Sequence, residues 1–424
     1  MIAVIPKHLI LFHKARRLCL LFGCIYMLVV AVGATPFAQA QLLFMHNLKR
    51  PFFTQYDMPE KYDLAPFKTH NVRIHTADNE TLGAWFMFAD PFYAVHKTHL
   101  LNISSPASIA LSRDDYIRAA LRAHPTILFL HGTTGTRAVR IRVQQYQAFA
   151  SRVGANVLAP DYRGFADSTG TPSEAGLTID TRAAWDWLRA RGASPDSVLV
   201  VGSSLGTGVA VHCGAVVHER PRGVVLLSPF SKLETLLDTY YILGLMPLFA
   251  PLRTLPYLSG KSPFHASLAT CFVKKFIVHR FDSLAKVVGL NAPVLIVHAE
   301  DDQDIPVWHA KVLFDAFLEK HLPPLPKITT GMVNASKGRA KGRFSALLQE
   351  RAVRRKELVT AREMERVGKV EEFSKDRGDN KVVFMHTWWG AHDVGLLEGV
   401  QDYMVEMFEM TSPRRLGAET GICH

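Results

Sequence analysis

The sequence predicts an α/β protein built on a doubly wound, mainly parallel sheet. Short apolar segments with strand character recur along the chain, among them Thr126 to Leu130 (TILFL) and Ser197 to Val201 (SVLVV). Amphipathic stretches such as Thr178 to Arg189 separate them. This alternation is typical of a parallel sheet covered by helices on both faces. In such a fold the functional groups gather at the C-terminal ends of the strands.

Composition narrows the class of protein. The chain has 424 residues, of which 48% are hydrophobic and 21% charged, as expected of a globular protein with a large core. Between Ser336 and Lys381 there are fourteen Lys or Arg against eight Asp or Glu, so one segment carries net charge +6 of the total +11. The rest is only mildly basic and shows no nucleic-acid-binding motif, and we expect no nucleic-acid partner. The five cysteines lack metal-type spacing, and the sequence predicts neither metal nor cofactor.

The apolar segment Leu18 to Phe37 is typical of a membrane-spanning helix. Its twenty residues suffice to cross a hydrocarbon core of about 30 Å. Lys7, Lys14, Arg16 and Arg17 precede it. The positive-inside rule therefore predicts residues 1–17 in the cytosol, an uncleaved signal anchor over 18–38, and the rest of the chain on the lumenal or extracellular side.

A cleaved signal peptide is the alternative interpretation. Ala38-Gln39-Ala40 forms an A-x-A pattern directly after the apolar segment, although that segment is longer than the usual signal-peptide core. Either interpretation places the same bulk of the chain across the membrane. Three sequons would be open to glycosylation there, at Asn79, Asn102 and Asn334.

The chain after the anchor reads as a series of alternating elements. Strand character is found at Val72 to His75, Leu82 to Phe88, Asn156 to Ala159, Val224 to Leu227, Pro293 to Val297 and Lys381 to Met385. A helix is expected around Val143 to Val153, and another begins near Trp308. Apolar runs of this length, bounded by Gly, Pro or Asp, indicate buried strands.

A glycine-flanked serine follows the strand SVLVV. Gly202-Ser203-Ser204-Leu205-Gly206 matches G-x-S-x-G and leads into a helix. In a nucleophile elbow the serine sits on a strained strand-to-helix turn, so its neighbours must be small. The sequence therefore predicts Ser204 as a nucleophile, with Gly202 and Gly206 as the elbow glycines.

A dinucleotide-binding loop is the rival interpretation of the same glycines. Gly202, Gly206 and Gly208 spell G-x-x-x-G-x-G, and Tyr257 and Lys261 supply a downstream Y-x-x-x-K, as in short-chain dehydrogenases that use NAD(P). Such a loop should follow the first strand of its sheet and precede an acidic residue by about twenty positions. Neither condition is met, and we favour the elbow.

A serine nucleophile needs a base and an acid, which in α/β-hydrolases follow it in the order acid, then histidine. The strand Pro293 to Val297 ends at a loop with four acidic candidates: Glu300, Asp301, Asp302 and Asp304. Spacing does not choose among them. His386 and His392 follow the last strand, and the flanking Gly390 and Gly395 favour His392.

Backbone N–H groups should stabilise the oxyanion that forms on the substrate. The residue after the nucleophile, Leu205, is the expected first donor. The turn that follows TILFL, beginning at His131-Gly132, is the expected place of the second, which we assign to Thr133. A Gly- and Thr-rich turn of this kind could equally bind an anion.

Taken together these segments resemble the membrane-anchored α/β-hydrolases of the monoacylglycerol and lysophosphatidylserine lipase group, alpha/beta-hydrolase domain-containing protein twelve and its relatives. The matching pieces are LHGTTGTR (130–137), DYRGFADSTGTPSE (161–174), SSLGTGVA (203–210), LSPF (227–230), VHAEDD (297–302) and AHDVG (391–395). The resemblance implies the α/β-hydrolase fold with a lid and a triad of Ser204, Asp302 and His392. It also implies a single-pass enzyme of the endoplasmic reticulum with its catalytic domain in the lumen.

Two features depart from that group. Ser203 occupies a position where such elbows commonly carry His, and a basic insertion of about fifty residues, 328–380, separates Asp302 from His392. We expect a surface insertion containing a helical stretch over Phe344 to Val367, and its charge suggests a hypothesis of anionic headgroup binding. The predicted hydrolase domain spans 65–410, with a lid at 233–290 and a tail at 411–424.

The expected substrate is a lipid ester. The lid segment Thr239 to Leu252 is uncharged and rich in Leu, Phe, Tyr and Met, which suits an acyl chain. With a membrane anchor added, a monoacylglycerol or lysophospholipid such as lysophosphatidylserine leads, cleaved through an acyl-enzyme. The lipid and the bilayer are the expected partners. A thioesterase or serine peptidase would use the same triad and is the alternative.

Overall fold

A computed structural model describes residues 7–101, 112–214, 217, 219–239, 241–242, 246–247, 275–325, 339–375 and 380–410. The helices are α1 (Lys7–Gly33), α2 (Pro36–Phe44), α3 (Asp90–Leu101), α4 (Arg113–Ala123), α5 (Arg140–Ser151), α6 (Glu174–Ala190), α7 (Leu205–Gly214), α8 (Leu233–Thr239), α9 (Ser283–Lys286), α10 (Trp308–Leu318), α11 (Arg339–Leu358) and α12 (Glu398–Phe408).

The strands are β1 (Thr69–His75), β2 (Thr81–Met87), β3 (Thr126–Leu130), β4 (Asn156–Pro160), β5 (Val198–Ser203), β6 (Gly223–Leu227), β7 (Tyr241–Ile242), β8 (Met246–Pro247), β9 (Val294–Ala299), β10 (Thr360–Met364), β11 (Gly368–Ser374) and β12 (Lys381–Thr387). Ten of them form one sheet in the order β1-β2-β4-β3-β5-β6-β9-β12-β11-β10. The six central strands, β4, β3, β5, β6, β9 and β12, run parallel. The predicted α/β fold with a mainly parallel sheet is confirmed, and β1, β2, β10 and β11 add antiparallel edges.

The sheet separates two apolar cores. Along β3, Leu128 and Leu130 belong to one core, while Ile127 and Phe129 belong to the other, because successive side chains of a strand point to opposite faces. The first core is covered by α4, α6, α7 and α10, and the second by α5 and α12. Strands buried on both faces read as continuous apolar runs, which is why they were recognisable in the sequence.

The N-terminal helix is interrupted earlier than the sequence predicted. Residues Phe12–Gly33 form the one described helix long and apolar enough to cross a membrane, and its apolar window is not buried against the protein. The predicted span reached residue 38, but α1 ends at Gly33. Thr35 caps a new helix by accepting a hydrogen bond from Ala38 N at 3.3 Å, and Pro36 occupies its first turn. The Ala38–Ala40 motif therefore lies inside α2.

The basic insertion is more than a helix on the surface. Its helix α11 ends at Leu358, so the helical stretch predicted to continue to Val367 is wrong at its C-terminal end. Thr360–Met364 instead pairs with Gly368–Ser374 as a hairpin, and that hairpin extends the main sheet beyond β12. Val370 is fully buried in the second core. Tertiary pairing with β12 overrides the local charge pattern that favoured a helix.

Several predictions fall on residues the structure does not describe. Residues 240, 243–245 and 248–274 of the predicted lid lie outside the described residues, and so do Tyr257 and Lys261 of the rival dehydrogenase motif. The sequons at Asn102 and Asn334 and the tail 411–424 lie outside them as well. The first glycine of that motif, Gly202, is described, and it lies in β5, the fifth strand along the chain rather than the first.

Candidate active site

Ser204 occupies the turn between β5 and α7. Its φ of +53° lies in the left-handed region, which is costly for a residue with a side chain. Its N–H donates to Leu227 O at 3.0 Å, and its carbonyl accepts from Thr207 N at 2.9 Å. These bonds hold the turn so that the serine stands at the C-terminal edge of the sheet, as predicted for an elbow.

The two elbow glycines are required by close backbone approach. A Cβ on Gly202 would lie 2.3 Å from Gly206 O, and one on Gly206 would lie 2.0 Å from Leu130 O. Both obstacles are main-chain atoms, which cannot rotate away as a side chain can. The loop after β3 is equally close, since a Cβ on Gly132 would lie 3.1 Å from Ser204 Cβ. Glycine therefore lets strand, helix and loop meet at the serine.

Asp302 lies on the loop after β9 and is 8% exposed. Its Oδ1 accepts hydrogen bonds from the N–H groups of Asp304 and Ile305, both at 2.9 Å. Its Oδ2 lies 2.9 Å from His392 Nδ1 and 3.2 Å from His298 Nε2. Burial opposes ionisation, but the hydrogen bonds from His298 and His392 hold the pKa of Asp302 well below its ordinary value. The carboxylate is therefore charged at neutral pH.

His392 lies on the loop after β12. Ala391 N donates to Asp301 Oδ1 at 2.8 Å, and Ser228 Oγ donates to His392 O at 3.1 Å, so the loop is tied to the segments that follow β9 and β6. Burial lowers the pKa of His392, but the hydrogen bond to Asp302 and the negative charges of Asp302, Asp304 and Asp393 together outweigh it, and the net shift is upward. Since Asp302 is the acceptor at Nδ1, Nε2 of the neutral ring is free to take a proton.

The four acids that spacing left open, and the two histidines after the last strand, differ in their contacts. His386 Nε2 pairs with Glu300 rather than with Asp302. His309 Nδ1 lies 2.9 Å from Ser231 Oγ, and the ring is fully buried. Of the four acidic residues, the one that contacts His392 through its side chain is Asp302.

Ser204 and His392 are each hydrogen-bonded to a residue at the end of β6. Ser204 N binds the carbonyl of Leu227, and His392 O accepts from the next residue, Ser228. Among the described residues, no hydrogen bond joins Ser204 Oγ to the imidazole. Hydrogen bonds between nucleophile and base are often long before substrate binds, so this arrangement is compatible with a catalytic pair.

The predicted oxyanion donors flank the serine. Leu205 is the first residue of α7, where N–H groups lack partners within the helix. Thr133 lies on the loop after β3, and no hydrogen bond of the described residues uses its N–H; its hydroxyl donates to Leu43 O at 3.1 Å. Both N–H groups therefore remain candidate oxyanion donors.

Arg142 is a functional candidate that the sequence analysis missed. Its guanidinium lies behind the loop after β3 and donates to four carbonyls of that loop: Gly132 O at 3.1 Å, Thr133 O at 3.2 Å, Thr134 O at 2.6 Å and Thr136 O at 3.0 Å. The C=O of Gly132 and the N–H of Thr133 belong to one trans peptide and point in opposite directions, so the bond from Arg142 turns the Thr133 N–H away from the arginine. A signal existed in the sequence, because Arg142 shares the buried face of α5 with Tyr146 and Phe149 at helical spacing.

Buried ion pairs of Arg137, which lies at the end of the same loop, stabilise it. Arg137 Nη1 lies 2.6 Å from Asp161 Oδ2 and 2.7 Å from Asp167 Oδ1, and Arg137 and Asp161 are fully buried. His131 packs on Tyr162 and its Nδ1 lies 2.8 Å from Gly132 O. Burial lowers the pKa of His131, so the ring is neutral at physiological pH and serves as a packed support.

A metal ion would find few free ligands here. Asp302, Asp304 and His392 offer atoms within 4.8 Å of one another. However, both oxygens of Asp302 already accept hydrogen bonds, and one of these comes from His392 itself. The arrangement suits an acid–base pair better than a metal centre.

Comparisons with known proteins concern the family and the fold of the chain. A family model described as the alpha/beta hydrolase fold matches residues 125–252. The lysophosphatidylserine lipase ABHD12 of Danio rerio is 30% identical over 311 residues, which cover 72% of this chain and 73% of the relative. Protein ABHD12B of Homo sapiens is 35% identical over 280 residues, covering 65% and 68%. Among solved structures, the Pyrococcus furiosus esterase Pf2001 has 20% identity and a TM-score of 0.40, covering 64% of this chain and 84% of the esterase.

Proposed function

The chain belongs to the α/β-hydrolase family, in the group of the lysophosphatidylserine lipase ABHD12 and protein ABHD12B, and from that premise we propose that it hydrolyses lysophospholipid esters with a Ser204–His392–Asp302 triad. The family makes the protein a lipid ester hydrolase. The triad, the headgroup and the acyl-enzyme are the proposal. The observation that carries it is the 2.9 Å contact of Asp302 with His392 at the sheet edge where Ser204 stands on its strained turn.

In the proposed first step, His392 Nε2 takes the proton of Ser204 Oγ as that oxygen attacks the ester carbonyl carbon. The charge that develops on the carbonyl oxygen is stabilised by the N–H groups of Thr133 and Leu205. Asp302 stabilises the imidazolium. The ester C–O bond then breaks, and the glycerol oxygen leaves with the proton from His392.

The second half returns the enzyme to its starting state. A water molecule gives a proton to His392 and attacks the carbonyl carbon of the acyl-Ser204 ester. The C–O bond to Ser204 breaks, Ser204 Oγ regains the proton from His392, and the fatty acid is released. Because Asp302 remains ionised throughout, a single histidine serves as base and then acid in both halves.

Labelling with a fluorophosphonate probe tests the nucleophile. The wild-type chain should react covalently, and Ser204→Ala should not, whereas Ser203→Ala should retain labelling because its hydroxyl lies on β5 before the turn. Equal labelling of wild type and Ser204→Ala would remove Ser204 from the mechanism. Turnover of lysophosphatidylserine against monoacylglycerol, and against an acyl-thioester or a peptide amide, then distinguishes the substrate class.

We also propose that α1 anchors the protein in the endoplasmic reticulum membrane with the hydrolase domain in the lumen. The helix is long enough for a single span, and the positive charges precede it. Asn79 is exposed in the turn between β1 and β2, so its sequon would be accessible to glycosylation in that compartment.

A further inference from the structure

The segment that joins the candidate membrane helix to the hydrolase domain is unusually apolar on its outside. We call residues 36–53 the juxtamembrane segment. Five of its large apolar side chains are exposed: Phe37 at 75%, Leu42 at 71%, Met45 at 41%, Phe52 at 61% and Phe53 at 100%. Single exposed apolar residues are ordinary, but this many within eighteen residues indicate a surface that is covered by something.

The inner side of the juxtamembrane segment is fixed to the enzyme. Phe44 is fully buried, and its ring centroid lies 5.1 Å from that of His279. The side-chain amide of Gln39 donates to Phe276 O at 2.7 Å and accepts from Val278 N at 2.9 Å. The exposed apolar groups are therefore carried by an ordered part of the domain and not by a loose linker.

The same segment holds the loop beside the nucleophile. Thr134 N donates to Phe44 O at 3.0 Å, Gly135 N to Leu48 O at 3.2 Å, and Thr136 N to Arg50 O at 3.0 Å. This loop also contains Gly132, whose built Cβ would be 3.1 Å from Ser204 Cβ. One short loop thus separates the exposed apolar surface from the serine.

We propose that the juxtamembrane segment is a bilayer-docking surface, which seats the mouth of the active site in the interfacial layer of the membrane. The proposal rests on the membrane anchoring and ester hydrolysis proposed above. α1 ends at Gly33 and α2 begins at Pro36, so the chain cannot leave the membrane surface before the segment starts. Segment 36–53 contains Lys49 and Arg50, both exposed, and no Asp or Glu, so its charged side chains are those that bind lipid phosphate groups.

Docking would let a single-chain lipid reach Ser204 without crossing water. Aromatic and aliphatic side chains enter the boundary between headgroups and acyl chains, while basic groups remain among the headgroups. Because Phe44, Leu48 and Arg50 supply carbonyls to the loop near Ser204, insertion of their neighbours fixes the height of the active site above the bilayer.

Fluorescence quenching tests the contact with lipid directly. The full-length Phe53→Trp variant, in the Ser204→Ala background, is reconstituted in vesicles whose acyl chains are brominated near the headgroup. The tryptophan emission of the Ser204→Ala parent is subtracted, so that the signal of the added tryptophan remains. We expect about twofold quenching relative to vesicles without bromine. Val95→Trp is the matched control, because Val95 is 73% exposed on α3. Ala89, directly before α3, donates to the side chain of Asn156 at the start of β4, which is the end of the parallel strands opposite to Ser204. Absence of quenching in the Phe53→Trp variant, or equal quenching in both variants, would overturn the proposal.

Turnover provides the second readout. Phe52→Ser with Phe53→Ser should lower the ratio of vesicle-lysolipid turnover to soluble short-chain ester turnover about fivefold or more, whereas Val95→Ser should leave the ratio unchanged. An unchanged ratio in the double variant contradicts docking even if the enzyme is active. If emission of the Phe53→Trp variant depends on protein concentration but not on bromine, the surface belongs to a contact with a second copy and the docking proposal is wrong. Failure of the proposed hydrolysis would appear separately, as equal ester turnover by wild type and Ser204→Ala.

Discussion

Arg142→Met removes the guanidinium behind the loop next to Ser204 while keeping an unbranched apolar side chain. Four loop carbonyls lose their donor, and these bonds span 2.6 to 3.2 Å in a site where Arg142 is 8% exposed. A hydrogen bond from a charged group contributes about 1.5–3 kcal/mol, but the four share one guanidinium. We therefore expect a loss of about 3–5 kcal/mol in unfolding free energy, because four carbonyls of the loop are left without a donor.

The catalytic effect should exceed what instability alone produces. If the loop rotates so that Thr133 N–H leaves its position, one oxyanion donor is lost, which lowers kcat about 10²–10³-fold. Binding of the acyl chain does not use this group, so KM should change little. Arg142→Lys keeps the charge but offers at most three donors to the four carbonyls, and we expect an intermediate kcat.

Arg222→Met is the matched control. Arg222 is 4% exposed and also donates to backbone carbonyls, those of Asp196, Phe408 and Glu409, but it precedes β6 at the edge of the sheet away from Ser204. It should lose comparable stability with kcat intact. Fluorophosphonate acylation rates and steady-state turnover of a soluble ester, both measured below the melting temperature, provide the comparison. If Arg142→Met and Arg222→Met have the same kcat, Arg142 is a packing residue and does not position the loop.

Three further perturbations follow from the geometry. The pH profile of kcat/KM should have an acid limb above the ordinary histidine pKa of about 6.5, because activity requires neutral His392 and the pKa of His392 is raised. Asp302→Asn should move that limb to lower pH and reduce kcat about 10³–10⁴-fold, whereas His386→Ala should leave the limb in place. A limb that does not move in Asp302→Asn would contradict the pairing of Asp302 with His392. Gly206→Ala forces a Cβ within 2.0 Å of Leu130 O and should lower the free energy of unfolding, measured with denaturant, by about 3 kcal/mol or more. The control Gly289→Ala should be near neutral, because its Cβ would meet nothing within 4 Å. Equal stabilities of the two variants would refute the close approach. Asn79→Asp, which tolerates the native φ of +66°, should remove an endoglycosidase-sensitive mobility shift if the domain is lumenal. If the wild type shows no such shift, Asn79 either faces the cytosol or is not glycosylated.

The choice of acid and base shows where sequence reasoning stopped. Spacing left Glu300, Asp301, Asp302 and Asp304 equivalent, and family resemblance was needed to prefer Asp302. In the structure Asp302 contacts His392, while Glu300 pairs with the competing His386. The carboxylates lie within five residues of one another, so only the direction of each side chain from the loop separates them, and that direction depends on β12 packing beside β9.

The sequence by itself determined the elements whose signal is local. The apolar strands, the glycine-flanked Ser204 and the N-terminal apolar helix each have a pattern that a few residues suffice to specify. The tertiary structure alone decided which distant groups meet. The hairpin of the basic insertion depends on pairing with β12, the loop carbonyls depend on Arg142, and Phe44, Leu48 and Arg50 reach the loop beside Ser204 from about ninety residues away in the chain. Such contacts arise from the packing of whole elements, which no short window of sequence records.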